Sequence, residues 1–217
     1  NIVWLKRDLR LTDHQPLLQA MDSSFPVLLL YIAEPKLIDD PHYDIRHWRF
    51  VYQSLTCIHR RLPAPALNVL YGDAIQCFES IKQLCTINTI WSYEEIGLGV
   101  TFKRDKEVKH WCRKYDIHWT EFPYGAVQRG LKRRSKWNQD WQSLMVQAIP
   151  DVDLTMIPWY IPLKHELDRM PIFKIPLTWQ ENDVCFQSGG ELAAFETLSN
   201  FFDGRGQSYA LNISSPD

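Results

Sequence analysis

Several absences narrow the sequence before any motif is considered. No apolar run approaches the ~20 residues a membrane-spanning helix needs. The 217 residues carry a formal net charge of only −2, so no global field of one sign draws the chain to nucleic acid. Cys57, Cys77, Cys85, Cys112 and Cys185 contain no C-x-x-C. An odd set of scattered thiols speaks against a zinc site or a disulfide framework. It points to a reducing, intracellular compartment, with cytoplasm, nucleus and organelle all left open. No secretory signal is expected. There is no G-x-S-x-G elbow, and His165-Glu166 lacks the second His of a zinc-protease helix. No G-x-G-x-x-G follows the first apolar run, and Gly97-Leu98-Gly99 lacks a third glycine, so the usual dinucleotide cradle is missing.

What is present has an ordinary globular composition, 45% hydrophobic and 23% charged, in a length that suits one large domain or a domain plus a tail. Ile2 to Leu5 is a short apolar run that breaks into Lys6-Arg7-Asp8-Leu9-Arg10. Thr12 or Asp13 can then cap a helix carrying Pro16 in its first turn. Further strands are expected at residues 26–32, 67–71, 86–91 and 117–122. Helices are expected at 42–62, from an Asp73/Gln76 capping box to Cys85, and at 101–115. Cys77 and Cys85 share a helical stripe with Phe78, Ile81 and Leu84, so they read as core. This alternation predicts an α/β fold, a doubly wound, five-stranded parallel, Rossmann-like sheet over residues 1–125. Residues 126–217 are rich in proline, with one helix expected near 190–202, and read as a mostly irregular and helical connector. The chain starts without Met and ends NISSPD, and is expected to be a piece of something longer.

Ligands of open α/β sheets sit beyond the carboxyl ends of the strands, which directs attention to three groups. Arg7, Asp8 and Arg10 follow the first strand; a carboxylate among guanidinium groups can bind the edge of a heterocycle, or can simply hold the turn together. Glu94 and Glu95 follow the fourth strand, as paired acids for a ligand or as two solvated loop acids. Arg46, His47, Trp48, Arg49 and Phe50 alternate cation and aromatic, a pattern that either clamps a planar ligand or divides between core and solvent. The basic run Arg129, Lys132, Arg133, Arg134 and Lys136 suits a nucleic-acid edge or an acidic neighbouring domain. Trp137, Trp141 and Met145 have the spacing of packing residues.

Trp4, Lys6, Arg7, Asp8, Leu9, Arg10, Leu11 and Asp13 together resemble the opening motif of the cryptochrome/DNA photolyase family. Ser92, Glu94, Glu95, Gly97, Thr101, Phe102, Arg104 and Asp105 resemble a second family motif, with Tyr93 where many relatives have His and Ile96 where they have Thr. Gly189, Gly190, Glu191, Ala193, Ala194, Leu198, Phe201, Gly206, Tyr209, Ile213, Ser214, Ser215 and Pro216 resemble the family's approach to its helical FAD-binding domain. The resemblance implies the N-terminal antenna domain of a photolyase or cryptochrome. Its antenna chromophore would be methenyltetrahydrofolate, a deazaflavin or FMN, held by Arg7, Asp8, Arg10, Glu94, Glu95 and Arg104, with Tyr31 as a stacking wall and Arg46 beside it. FAD would belong to the full-length parent, where a Tyr in about the place of Tyr209 contacts its phosphates. The implied partners are the C-terminal FAD-binding domain and, through it only, damaged DNA, with no membrane. An antenna-less module serving in blue-light signalling and protein contacts is the alternative, and this length alone is not expected to catalyse repair.

Overall fold

β1 (Ile2–Leu5) is buried along its whole length, and the other elements are laid out from it. The computed structural model describes residues 1–125, 127, 129–131 and 134–213, with backbone only at Arg134 and Asn212. After β1 come α1 (Gln15–Met21), β2 (Leu28–Ala33), a short α2 (Pro35–Ile38) and the long α3 (Ile45–Arg61). β3 (Leu67–Tyr71), α4 (Ala74–Lys82), β4 (Thr89–Tyr93), α5 (Gly99–Lys114) and β5 (His118–Phe122) complete the alternation. All pairings are parallel, in the order β3-β2-β1-β4-β5. The direction of winding therefore reverses between β1 and β4, and a crevice opens at the carboxyl end of that seam.

Strand alternation sends successive side chains to opposite faces. Ile2, Trp4, Leu28, Leu30 and Ile90 pack on α4 and α5 through Phe78, Ile81, Val108 and Trp111. Val3, Leu5, Leu29 and Tyr31 pack on α1 and α3 through Leu17, Leu55 and Ile58. Because both faces are covered, the inner strands have almost no polar residues. Cys77 is buried and Cys85 packs at the edge of the same cluster.

The ends of the elements depart from the sequence expectation in places. Asp13 adopts a left-handed φ of 52°, which carries the chain past Thr12 and Asp13 and makes His14 the cap of α1. Asp73 caps α4 by accepting from Ile75 N, and no reciprocal bond from Gln76 is found among the described residues. Strand four begins at Thr89 rather than Thr86.

Beyond β5 lie α6 (Trp137–Met145), α7 (Lys164–Leu167), α8 (Leu177–Gln180), α9 (Glu191–Asp203) and α10 (Tyr209–Asn212). This half stays close to the sheet. Tyr71 N donates to Pro171 O at 2.7 Å and Phe173 N to Val69 O at 2.9 Å, which covers the free edge of β3. α8 is held to α3 by Trp179 stacked on Trp48 at 5.0 Å. α9 reaches α3 through two glycines. A Cβ on Gly189 would lie 2.2 Å from Phe50 O, and Gly190 has a φ of 102°. Their amides donate to Gln53 Oε1 and Ser54 Oγ at 2.6 and 3.0 Å.

Candidate functional site

A cavity of about 770 Å³ opens at the carboxyl edge of the sheet. Its floor is the ends of β1 and β2, one wall is α3, and α9 covers it with Ala194, Phe195 and Leu198. The volume falls in the range of small-molecule sites, as does the lining: mostly apolar, with a few polar groups converging on it. Trp48, Phe50, Leu37 and Tyr31 supply aromatic and aliphatic surface; Arg7, Arg10, His47, Glu34 and Glu95 supply the polar contacts.

One buried ion network organises the polar side. Arg104, on α5, pairs with Glu34, with Glu95 at 3.1 Å and with Asp105 at 2.9 Å, and lies 4.9 Å from the Trp4 ring. Burial alone would lower its pKa, but Glu34 and Asp105 outweigh that and keep it charged. Lys6 pairs with Asp105 at 2.9 Å and sits over Trp4 and Trp119; burial lowers its pKa and Asp105 offsets part of the effect. Glu95 turns inward. Its Oε1 accepts from Arg7 Nε, Ile96 N and Gly97 N, at 3.1, 3.0 and 2.6 Å. Gly97 lies so close to the Arg7 guanidinium that a Cβ there would come within 1.9 Å. Arg7 also donates to Tyr43 Oη at 3.3 Å.

Asp8 lies beneath the cavity and has both oxygens occupied. Oδ1 accepts from Lys6 N at 2.9 Å and Oδ2 from His14 Nε2 at 2.7 Å. His14 Nδ1 accepts from Leu17 N at 3.2 Å, which assigns the ring proton to Nε2. Burial would raise the Asp8 pKa; the hydrogen bonds from His14 and from the Lys6 amide outweigh it and hold the carboxyl below its ordinary value. Asp8 therefore fixes the β1–α1 turn through His14.

The sequence-predicted residues thus divide. Arg7, Arg10, Tyr31, Glu95 and Arg104 line one cavity. Arg10 donates to the carbonyls of Thr12 and Asp13 and lies 5.4 Å from the Tyr93 ring. Glu94 points the other way and pairs with Arg129 at 2.8 Å. Arg46 lies over Phe186 outside the cavity, and Tyr209 packs on Phe201, half exposed. Lys132, Arg133 and Ser214 to Pro216 lie outside the described residues, as does the Arg134 side chain.

The sequence reading gave no role to Glu34 or Tyr43. It also missed that Glu191 anchors the cover. The Glu191 carboxylate accepts from Leu11 N and Thr12 N at 3.2 and 2.7 Å and pairs with Arg61, tying α9 to the turn after β1. Burial would raise the Glu191 pKa; the bonds from Thr12 and Leu11, with Arg61, outweigh it and lower it. Glu-Pro after a strand was the available signal for Glu34, but it reads equally as an ordinary helix start.

Among the described residues no group of three His, Cys, Asp or Glu is placed to hold a metal ion, and no helix is long and apolar enough to cross a membrane. All five thiols are free.

Comparison with known proteins gives a consistent answer. A profile of the DNA photolyase family matches residues 1–127. The chain is 24% identical over 226 aligned positions to a deoxyribodipyrimidine photo-lyase of Agrobacterium fabrum, covering 96% of this chain and 46% of that protein. It is 28% identical over 102 positions to a chloroplastic/mitochondrial cryptochrome DASH of Solanum lycopersicum, covering 43% of this chain and 18% of that one. In fold it resembles an archaeal photolyase from Sulfolobus tokodaii that holds two FAD molecules, with a TM-score of 0.69 at 18% identity over 91% of this chain and 45% of that one. The chain spans just under half the length of the photo-lyase it matches.

Proposed function

The chain belongs to the DNA photolyase family, and we propose that it forms the antenna, or light-harvesting, part of a photolyase- or cryptochrome-like flavoprotein. The observation that carries this reading is the open cavity at the sheet's carboxyl edge, where a filled crevice would have favoured an antenna-less module. A planar chromophore of the pterin, deazaflavin or FMN type would lie against Tyr31 and Trp48, with Arg7, Arg10 and His47 as donors to its polar or anionic groups. The archaeal relative's second FAD, implicated there as a light-harvesting cofactor, adds a larger flavin to the candidates.

When bound, the chromophore would supply absorption of near-ultraviolet and blue light, to be passed to FAD for pyrimidine-dimer repair in the full-length protein. This chain's own residues bind, orient and shield: α9 covers the ring site, and the Arg104 network fixes the floor. The partner is the FAD-binding domain of the same protein, with damaged DNA reached only through that domain. The exposed apolar residues of α9 and α10, Leu192, Phe202 and Leu211 among them, support such a contact. The same residues give some support to a protein-contact module without a chromophore.

The test is an absorption spectrum of the purified chain between about 350 and 500 nm, followed by chromatography of what heat releases. Release or uptake of a pterin, deazaflavin or flavin is the expected result. A colourless chain that takes up none of them would sink the antenna reading.

A further inference from the structure

α9 is anchored at one end only. Every polar bond that ties it to the sheet side of the fold falls on three consecutive residues at its start. Gly189 N and Gly190 N donate to Gln53 Oε1 and Ser54 Oγ on α3, and the Glu191 carboxylate takes Leu11 N, Thr12 N and Arg61. Beyond Glu191 the bonding turns inward. Thr197 Oγ1 donates to Ala193 O at 2.8 Å and accepts from Gln187 Nε2 at 3.0 Å, and Arg205 donates to Thr197 O at 3.3 Å. Among the described residues, no hydrogen bond or ion pair joins residues 192–213 to anything before Gln187.

Burial follows the same division. α3 buries Trp48, Ser54, Leu55 and Ile58 along its length, whereas the buried residue of α9 is Glu191, at its first position. Phe195 and Leu198 line the cavity and yet are 49% and 51% exposed, so they stand off from the wall opposite. A helix of this length is marginal by itself, and α9 is braced by the chain that follows it, where Phe201 meets Tyr209 edge to face at 5.6 Å.

The anchor has the form of a pivot. Gly189 is pressed against Phe50 O, and Gly190 holds a φ of 102°, in a region that glycine enters without strain. A change of backbone angle is therefore absorbed at Gly190, as at the hinges of other moving elements. At 1.5 Å per residue, the far end of α9 lies about 18 Å from Glu191. A rotation of ~15° would carry that end about 5 Å and the Glu191 carboxylate only about 1 Å, little enough to keep its bonds.

We propose that α9, together with residues 204–211, is a hinged lid pinned by Gly189, Gly190 and Glu191, and that it swings down to bring Phe195 and Leu198 onto an occupant of the cavity. Closure removes the apolar surface of both side chains from water, and it breaks few bonds because the bonds lie at the pivot. In the ligand-free chain those side chains have nothing to close on, and the lid samples a range of angles. The closing step rests on the antenna reading; the hinge does not.

Residual dipolar couplings of the whole chain, fitted separately for the amides of residues 192–203 and of the five strands, test the proposal. A swinging lid averages its couplings. The order of α9 in the ligand-free chain should be below that of the sheet by about a third or more, with its helical chemical shifts retained. Equal order overturns the hinge. Loss of the helical shifts overturns it as well, because α9 would then be fraying rather than swinging. Glu191→Ala should lower the order of α9 further while the strands keep theirs, and an unchanged α9 refutes the pin. If that variant does not fold, Arg61→Ala, which removes one partner of the carboxylate, takes its place with the same expectation. FMN and methenyltetrahydrofolate are then titrated separately into the unsubstituted chain, and saturation with either should bring α9 up to the order of the sheet. Binding without that change overturns the closure. A chain that takes up neither strikes the antenna reading and the closure with it, while the ligand-free couplings still decide the hinge.

Discussion

The two halves of the chain treat apolar residues in opposite ways. Up to β5, large hydrophobic side chains disappear into two clusters on either face of the sheet, and Val3, Leu17, Leu29, Leu30 and Phe78 are fully buried. After β5, Ile157, Met170 and Trp179 enter that core, while Val184 is 93% exposed and Leu211 85%. The first half is closed by its own sheet. The second borrows its stability from the sheet edge and α3, and presents apolar side chains that no described residue covers. The same split holds for charge: Arg104, Lys6, Asp105 and Glu95 are sealed inside, whereas Arg49 meets Glu181 and Asp183 near the surface. One half closes around its own core, and the other leaves large apolar side chains in solvent.

Four substitutions would break or sharpen that contrast. Arg104→Ala should cost most, about 3–5 kcal/mol in urea unfolding followed by circular dichroism, because it strands Glu34, Glu95 and Asp105 without their common cation. Asp8→Asn should cost about 1–3 kcal/mol at neutral pH, since the buried acceptor of Lys6 N and His14 is weakened. The Asp8 carboxyl is held below its ordinary pKa, so its contribution is present above the unfolded value and is lost as pH falls through the folded one. The gap between parent and variant should accordingly narrow below about pH 4, and a constant gap would show that the charge is not responsible. Gly189→Ala should cost about 1–3 kcal/mol and loosen α9, because its Cβ meets the backbone carbonyl of Phe50. Hydrogen exchange of the α9 amides would show the loosening. Leu192→Ser should stay within about 0.5 kcal/mol in this chain. With the proposed FAD-binding half attached the same change should cost more, and equal, small costs in both contexts would count against that proposed contact.

Much of the sheet could be read in the sequence, since parallel inner strands such as Leu28–Ala33 leave a long apolar trace and α3 shows its period over seventeen residues. The site was less legible, for geometric reasons. Glu94 and Glu95 look interchangeable as letters, but successive residues leaving a strand face opposite ways, and one joins Arg104 while the other joins Arg129. His14 was missed as a cap because histidine is an uncommon one, and only the turn at Asp13 brings its ring under Leu17 N. The roof helix was expected near residues 190–202 and is found at Glu191–Asp203, but its placement was not legible, because no local spacing announces that Glu191 will meet Leu11 across 180 positions.

That last contact also imposes a timetable. At ordinary elongation rates a ribosome needs on the order of ten to forty seconds to travel from Thr12 to Glu191. For that interval the newborn sheet has a floor and one wall but no roof. The bay is shut by an element made long after its floor, and a nascent chain stalled before residue 191 would leave it open to whatever diffuses past.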